Sequence, residues 1–302
     1  MANTISTEKI WWRRGLRGRV KRNVQSLSER AEQFRLEYKY RRAHKKFGIE
    51  NPIIVHQMGK VGSRSFYYSL KALDLDVPVY HTHVLAHLDE YQAAVRAQFP
   101  DPTPYLNSID AGRTVRAEIE KQRWKQWNVI SIVRAPIPRS ISQYFETLHT
   151  RLPRAWERIA NGELTVQDLQ TDYIGNFQDT SPLNWFEDQI HDPFGIDVYA
   201  TPFETRRGYQ IYAKDSIRLL IVRLEDADSV IGTAMRDFLG LENFALLKYN
   251  ETQSKHYSAL YQKFSQSLRL PNPFIEQMHG TRYARHFYTP AELEASVRRW
   301  HA

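Results

Sequence analysis

Apolar runs alternate with helical periodicity along most of this chain. Strands are predicted at 53–57, 77–84, 128–133 and 218–223. The segment after the first has Phe66, Leu70 and Leu73 spaced for one helix face. Helices are predicted at 86–98, 112–126, 139–148 and 229–239, with a long one from 255. The run Asn128 to Val133 is apolar without alternation, as in a strand covered on both faces of a parallel sheet. Strands alternating with helices predict an α/β domain with a mostly parallel sheet. Between them, Pro100 to Pro104 reads as a loop. A short strand at Gly195 to Tyr199 is expected to pair with one at Tyr209 to Tyr212. Gly48 and Pro52 mark a boundary, giving a basic arm at 1–50 and a main domain at 51–302.

The 302 residues suffice for one large domain. There is no Cys, which excludes disulfides and thiolate chemistry. No apolar run approaches the roughly 18–20 residues of a membrane-spanning helix. With no signal-peptide core, the expected location is the cytoplasm. The net charge of +8 is concentrated at the N-terminus. Residues 1–50 hold 14 Lys/Arg against 5 Asp/Glu, and the remainder carries a net −1. The body therefore lacks the broad basic face of a nucleic-acid binder. Val20, Val24, Leu27, Ala31, Phe34 and Tyr38 form one apolar stripe within the arm. Residues 1–47 are thus a candidate amphipathic helix for peripheral contact with an anionic inner-membrane surface. The other reading packs the stripe on the domain itself.

The break after the first strand reads Gly59-Lys60-Val61-Gly62-Ser63-Arg64-Ser65. A strand, a glycine-bearing loop and a helix start make an anion cradle. Backbone N–H groups and the helix dipole favour negative charge there, and Lys60 adds a full positive charge. The Walker A pattern places Lys after its second Gly. Here Lys60 precedes Gly62, which weakens an ATPase or kinase reading. The third strand ends on Arg134, with Ser142 one to two turns into the next helix. Ligands of an open parallel sheet bind at this carboxyl edge. Arg134 offers a planar fork for phosphate oxygens. A cradle plus an Arg/Ser clamp suits a nucleotide with anionic groups at two separate positions.

On these residues the chain resembles the sulfotransferases that use 3′-phosphoadenosine 5′-phosphosulfate (PAPS). Lys60-Val61-Gly62-Ser63-Arg64-Ser65 matches their 5′-phosphosulfate loop. Arg134, Pro136 and Ser142 match their 3′-phosphate element, and Arg139 and Tyr144 fit the carbohydrate branch. Tyr80-His81-Thr82-His83 is similar to a segment of uronosyl 2-O-sulfotransferases, which implies His83 as catalytic base with His81 assisting. Asn184-Trp185-Phe186, Gly195 to Tyr199, Arg223 to Asp226 and Tyr283 to Tyr288 resemble a bacterial group of capsular polysaccharide synthesis proteins. The resemblance implies a P-loop-like three-layer fold and sulfuryl transfer from PAPS, without a metal, to a carbohydrate hydroxyl of a surface polysaccharide or glycolipid. The alternatives are a nucleotide-dependent kinase or other transferase, and a non-catalytic capsule-assembly protein of the same fold.

Several residues carry a second reading. His81 and His83 share a strand face, and with His87 they would form a metal set. Glu225 and Asp226 are expected to orient nearby Arg or Lys. Trp185, Tyr199 and Tyr209 are candidates for stacking on sugar rings, or for core packing. Arg282, Arg285 and His286 are candidates for either ligand site.

Overall fold

The computed structural model describes residues 49–99, 101–122, 124–178, 181–247 and 257–301. Nearly all of the arm read at 1–50 lies outside them. Five strands form one sheet: β1 Ile53–His56, β2 Val79–Thr82, β3 Trp127–Val133, β4 Tyr209–Lys214 and β5 Ile217–Arg223. The order is β2-β1-β3-β5-β4. β1, β2, β3 and β5 are parallel, and β4 joins β5 antiparallel at the edge. The chain is therefore α/β, with a mostly parallel five-stranded sheet.

Sequence explains the order. β1 and β3 are buried at every position, and β5 at all but one. Such continuous apolar strands can occupy the middle of a covered sheet. β2 and β4 are only partly buried and take the edges. β4 and β5 connect through Asp215 and Ser216, with Asp215 in the left-handed region (φ 51).

Among the described residues, twelve α-helices of six residues or more follow: α1 Ser63–Ala72, α2 Leu88–Gln98, α3 Thr103–Lys121, α4 Pro136–Arg151, α5 Ala155–Ala160, α6 Val166–Asn176, α7 Ser181–Phe186, α8 Ala227–Leu239, α9 Ser258–Ser267, α10 Asn272–His279, α11 Arg282–Phe287 and α12 Pro290–Trp300. After α7 comes a π-helical turn, Glu187–His191, and a short α-turn, Asp192–Phe194.

Two expectations are corrected. Gly195 to Tyr199 is not a strand. Asp197 accepts the Tyr199 N–H at 2.9 Å and starts a 3-10 turn, Val198–Ala200, and the strand at 209 pairs with β5 instead. The proline-rich stretch at 100–104 is not all loop, because α3 begins at Thr103. Proline is tolerated in a first helical turn, where its missing N–H has no intrahelical partner.

α4 has two faces. Ile137, Ile141, Tyr144, Phe145 and Leu148 recur at helical spacing and are fully or almost fully buried, in an apolar cluster with Tyr173 and Phe264. The opposite face carries Arg139, Ser142, Gln143 and Glu146 at steps of three, one and three, and turns toward the carboxyl edge of the sheet.

Candidate functional site

The strand order defines where a ligand can sit. From β1 the chain moves to β2 on one side and later to β3 on the other. The crevice at the carboxyl ends of β1 and β3 is therefore the topological switch point. A cleft of about 530 Å³ opens there, lined among others by Lys60, Gly62, Ser63, Arg64, Ser65, His81, His83, Arg134 and Ser142. These come from three separate stretches of sequence. Of the residues named for the cradle, only Val61 does not line the cleft. Its side chain is fully buried in the core.

The loop is tightly determined. Gly62 caps α1 with φ 79, and a Cβ there would lie 2.8 Å from Leu224 Cδ1. Glycine thus meets both a conformational and a steric demand. Lys60 also has positive φ (69). The Ser65 N–H closes on the Gly62 carbonyl at 3.2 Å. Two arginines hold the loop through its carbonyls. Arg139, fully buried, donates to the Gly59 carbonyl at 2.9 Å, and Arg134 Nη1 donates to the Lys60 carbonyl at 3.1 Å.

Arg134 is itself anchored. Its N–H donates to the Tyr283 hydroxyl at 2.9 Å, and that hydroxyl donates back to the Arg134 carbonyl at 2.7 Å. The next amide, Ala135 N–H, donates to Glu225 Oε1 at 2.8 Å, and Tyr288 donates to Glu225 Oε2 at 3.0 Å. Glu225 therefore orients a backbone and a tyrosine, not a cation. Asp226 does pair with a cation, Arg223, at 2.7 Å.

The two cleft histidines differ in chemistry. Their rings sit 4.9 Å apart, edge to face. His83 Nδ1 lies 2.8 Å from the Gln57 carbonyl. A carbonyl only accepts, so Nδ1 carries the proton and a neutral ring keeps a lone pair on Nε2. Burial lowers the His83 pKa, against the Gln57 bond, and Arg64 and Lys60 lower it further. His81 Nε2 is occupied by Gln57 Nε2 at 3.0 Å and Ser63 Oγ at 3.1 Å. Burial first, then His83 and Arg64, bring its pKa down to about 3. The geometry thus leaves His83 the nitrogen able to accept a proton, and ties His81 to the cradle serine.

The turn bearing His83 is clamped on both sides. At Gly112 a Cβ would meet the Val84 carbonyl at 2.1 Å, so α3 approaches this closely only through glycine. On the other side, buried Gln189 accepts the N–H groups of Leu85 (2.7 Å) and Ala86 (3.1 Å). The Gln189 carbonyl accepts His56 Nε2–H at 2.9 Å, and Thr82 donates to His56 Nδ1 at 2.8 Å. Full burial keeps the His56 pKa at about 3. His87 does not join His81 and His83. It turns outward to Asp192 at 3.0 Å, and with Asp188 these make the one group of three metal-type donors that converges among the described residues.

Leu224, Ala227, Leu246 and Leu247 add apolar surface to the cleft, beside Glu225 and Asp228. Trp185 and Tyr209 are buried core residues, Trp185 packing on His56 at 5.1 Å, so neither offers a free face to a sugar. Tyr199 is half-buried beneath Arg282, whose guanidinium lies 4.1 Å from the ring centre. Arg285 and His286 line a separate shallow cleft with Tyr199 and Tyr288.

Sequence reading missed Gln57, Gln189, Tyr283 and Glu146 as site residues. A signal existed for Glu146, because it shares the polar face of α4 with Ser142. None existed for Gln189, whose partners lie more than a hundred positions away.

Fold and cleft together define an α/β protein with a glycine-bearing strand–loop–helix turn, carrying Lys60, at its switch point. The family model described as "Putative capsular polysaccharide synthesis protein" matches residues 166–289. No curated protein and no solved structure matches the chain. The matched segment contains Gln189, Glu225 and Tyr283, but not Lys60, His83, Arg134 or Ser142. Among the described residues, no helix is long and apolar enough to cross a membrane.

Proposed function

We propose that this protein is a PAPS-dependent sulfotransferase with a P-loop-like three-layer fold, acting on a carbohydrate hydroxyl in capsular or surface polysaccharide synthesis. One observation carries the reading. Lys60 with its loop, Arg134 with Ser142, and a neutral His83 come from three stretches and line a single cleft. The polysaccharide context rests on the family match at 166–289.

The residues suit the co-substrate. PAPS has anionic groups at its 5′ and 3′ positions and an aromatic base whose flat face can lie against apolar side chains. The cradle at Gly62 to Ser65 with Lys60 would hold the phosphosulfate, and Arg134 with Ser142 the 3′-phosphate. The wall formed by Leu224, Leu246 and Leu247 would face the base. In the reaction an acceptor hydroxyl oxygen bonds to sulfur, the bond from sulfur to the phosphate oxygen breaks, and the hydroxyl proton passes to His83 Nε2. A lowered pKa keeps His83 unprotonated at neutral pH, as a base must be. Lys60 and the loop amides stabilise charge gained by the leaving phosphate. No step calls on a metal.

The test is calorimetric titration of the full chain with 3′-phosphoadenosine 5′-phosphate (PAP), the product nucleotide. Lys60→Ala should weaken binding by tenfold or more, the loss of a charge-assisted contact. Equal affinity in parent and variant would remove the assignment.

A further inference from the structure

Lys60 already has a partner. Its Nζ lies 3.0 Å from Oε2 of Glu146, a residue 86 positions away. Glu146 follows Ser142 by one turn on the polar face of α4 and lines the same cleft. The Tyr257 hydroxyl lies 3.4 Å from the same carboxylate oxygen. The Tyr105 hydroxyl is raised in pKa by burial and then by the nearby Glu146 charge. The carboxylate thus sits on a helix, with a tyrosine hydroxyl against it. Lys60, by contrast, is an ammonium on a four-carbon stem, carried by a loop. The Glu146 side chain is 45% exposed and that of Lys60 16%. An ion pair so exposed holds its partners by no more than about a factor of five.

An anion entering the cradle therefore meets two opposed effects. The loop amides and Lys60 attract it, while the Glu146 carboxylate repels it and competes for the same ammonium. We infer that Glu146 is the resident counter-ion of Lys60, and that phosphate-bearing ligands bind this cleft by exchange, with Lys60 turning from the carboxylate to the anion. This assigns Glu146 a control over donor affinity that the motifs do not carry. It rests on the cradle reading given above, but not on which nucleotide the cradle takes. The exchange keeps Lys60 neutralised and oriented while the cleft is empty. It also sets the donor affinity below the maximum the cradle could reach, which favours release of the spent nucleotide.

The experiment is titration of the full chain with two probes, inorganic pyrophosphate and PAP. Four proteins are compared: the parent, Glu146→Gln, Lys60→Met and the double variant. Glu146→Gln is expected to bind both probes about tenfold tighter, the effect of removing one screened like charge beside the anion. In the Lys60→Met background the same change should shrink to threefold or less, because the competition for the ammonium is gone. Tighter pyrophosphate binding with no PAP binding in any protein would keep the exchange and remove the sulfotransferase reading. PAP binding that is equal in the parent and Glu146→Gln would overturn the exchange and leave that reading standing. Failure of both probes to bind the parent and Glu146→Gln would overturn the exchange as well.

Discussion

Residues 51–151 and the family-matched segment 166–289 build one cleft in different ways. The first region supplies the groups proposed to bind and react: Lys60, His81, His83, Arg134 and Ser142 all line the cleft. The second supplies the frame. Phe186, Tyr283 and Phe287 pack in the core with ring centres within about 6 Å of one another. Tyr283 then takes both backbone groups of Arg134, and Gln189 holds the turn behind His83. The proposed chemistry and its scaffold are therefore separated along the chain but joined by hydrogen bonds. The family match at 166–289 covers the frame and leaves Lys60, His83, Arg134 and Ser142 outside it.

This division can be broken by substitution. The largest effect is expected from His83→Ala, which should lower sulfuryl transfer by about 10²–10⁴-fold, the usual contribution of a general base. Its affinity for PAP and its melting temperature should stay near those of the parent. A variant that loses nucleotide binding in parallel would make His83 part of the frame.

The converse change is Phe287→Ala. Phe287 is fully buried, and large-to-small changes at such positions cost about 3–5 kcal/mol. Urea unfolding should show that loss. A variant still folded at low temperature should keep its PAP affinity within a few-fold.

The pH dependence of stability sharpens the comparison, because it reads the junction. His56 and His81 have folded pKa values of about 3, below the ordinary 6.5. Between those values the unfolded chain binds more protons, so stability rises with pH. It is fully present above pH 6.5 and is lost as the pH falls toward 3. For His56, fully buried, the loss from pH 7 to pH 5 should reach about 2 kcal/mol. His56→Gln should flatten that part of the slope in urea unfolding at the two pH values. An unchanged slope would mean that His56 is protonated in the folded state.

The smallest effect is expected from Ser142→Ala. Loss of one hydroxyl contact corresponds to about 0.5–1.5 kcal/mol, or up to about tenfold in PAP affinity. Binding of adenosine 5′-phosphosulfate, which lacks the 3′-phosphate, should be unchanged. An equal loss for both nucleotides would move Ser142 away from the 3′ side.

Much of the frame could be read from the sequence because it follows local rules. The continuous apolar run of β3 read as a strand covered on both faces, and β1 and β5 read as strands of the same sheet. Lys60 and Arg134 could be assigned to the same edge before any coordinates, since both leave parallel strands at their carboxyl ends. Long-range side-chain choices were not legible. Gly195 to Tyr199 has strand-like residues, yet Asp197 bonds its own backbone two residues on and turns the chain. Glu146 could be placed on the polar face of α4, but not paired with Lys60, because nothing local links them. The tautomer of His83 depends on a carbonyl at Gln57 that only the packing of β1 beside β2 brings within reach.

The central claim is that the cleft at the switch point takes a 3′-phosphorylated nucleotide. A thermal-shift comparison of the full chain with PAP and with ATP tests it most directly. PAP should raise the melting temperature clearly and ATP should leave it unchanged. A rise with ATP and none with PAP would contradict the claim.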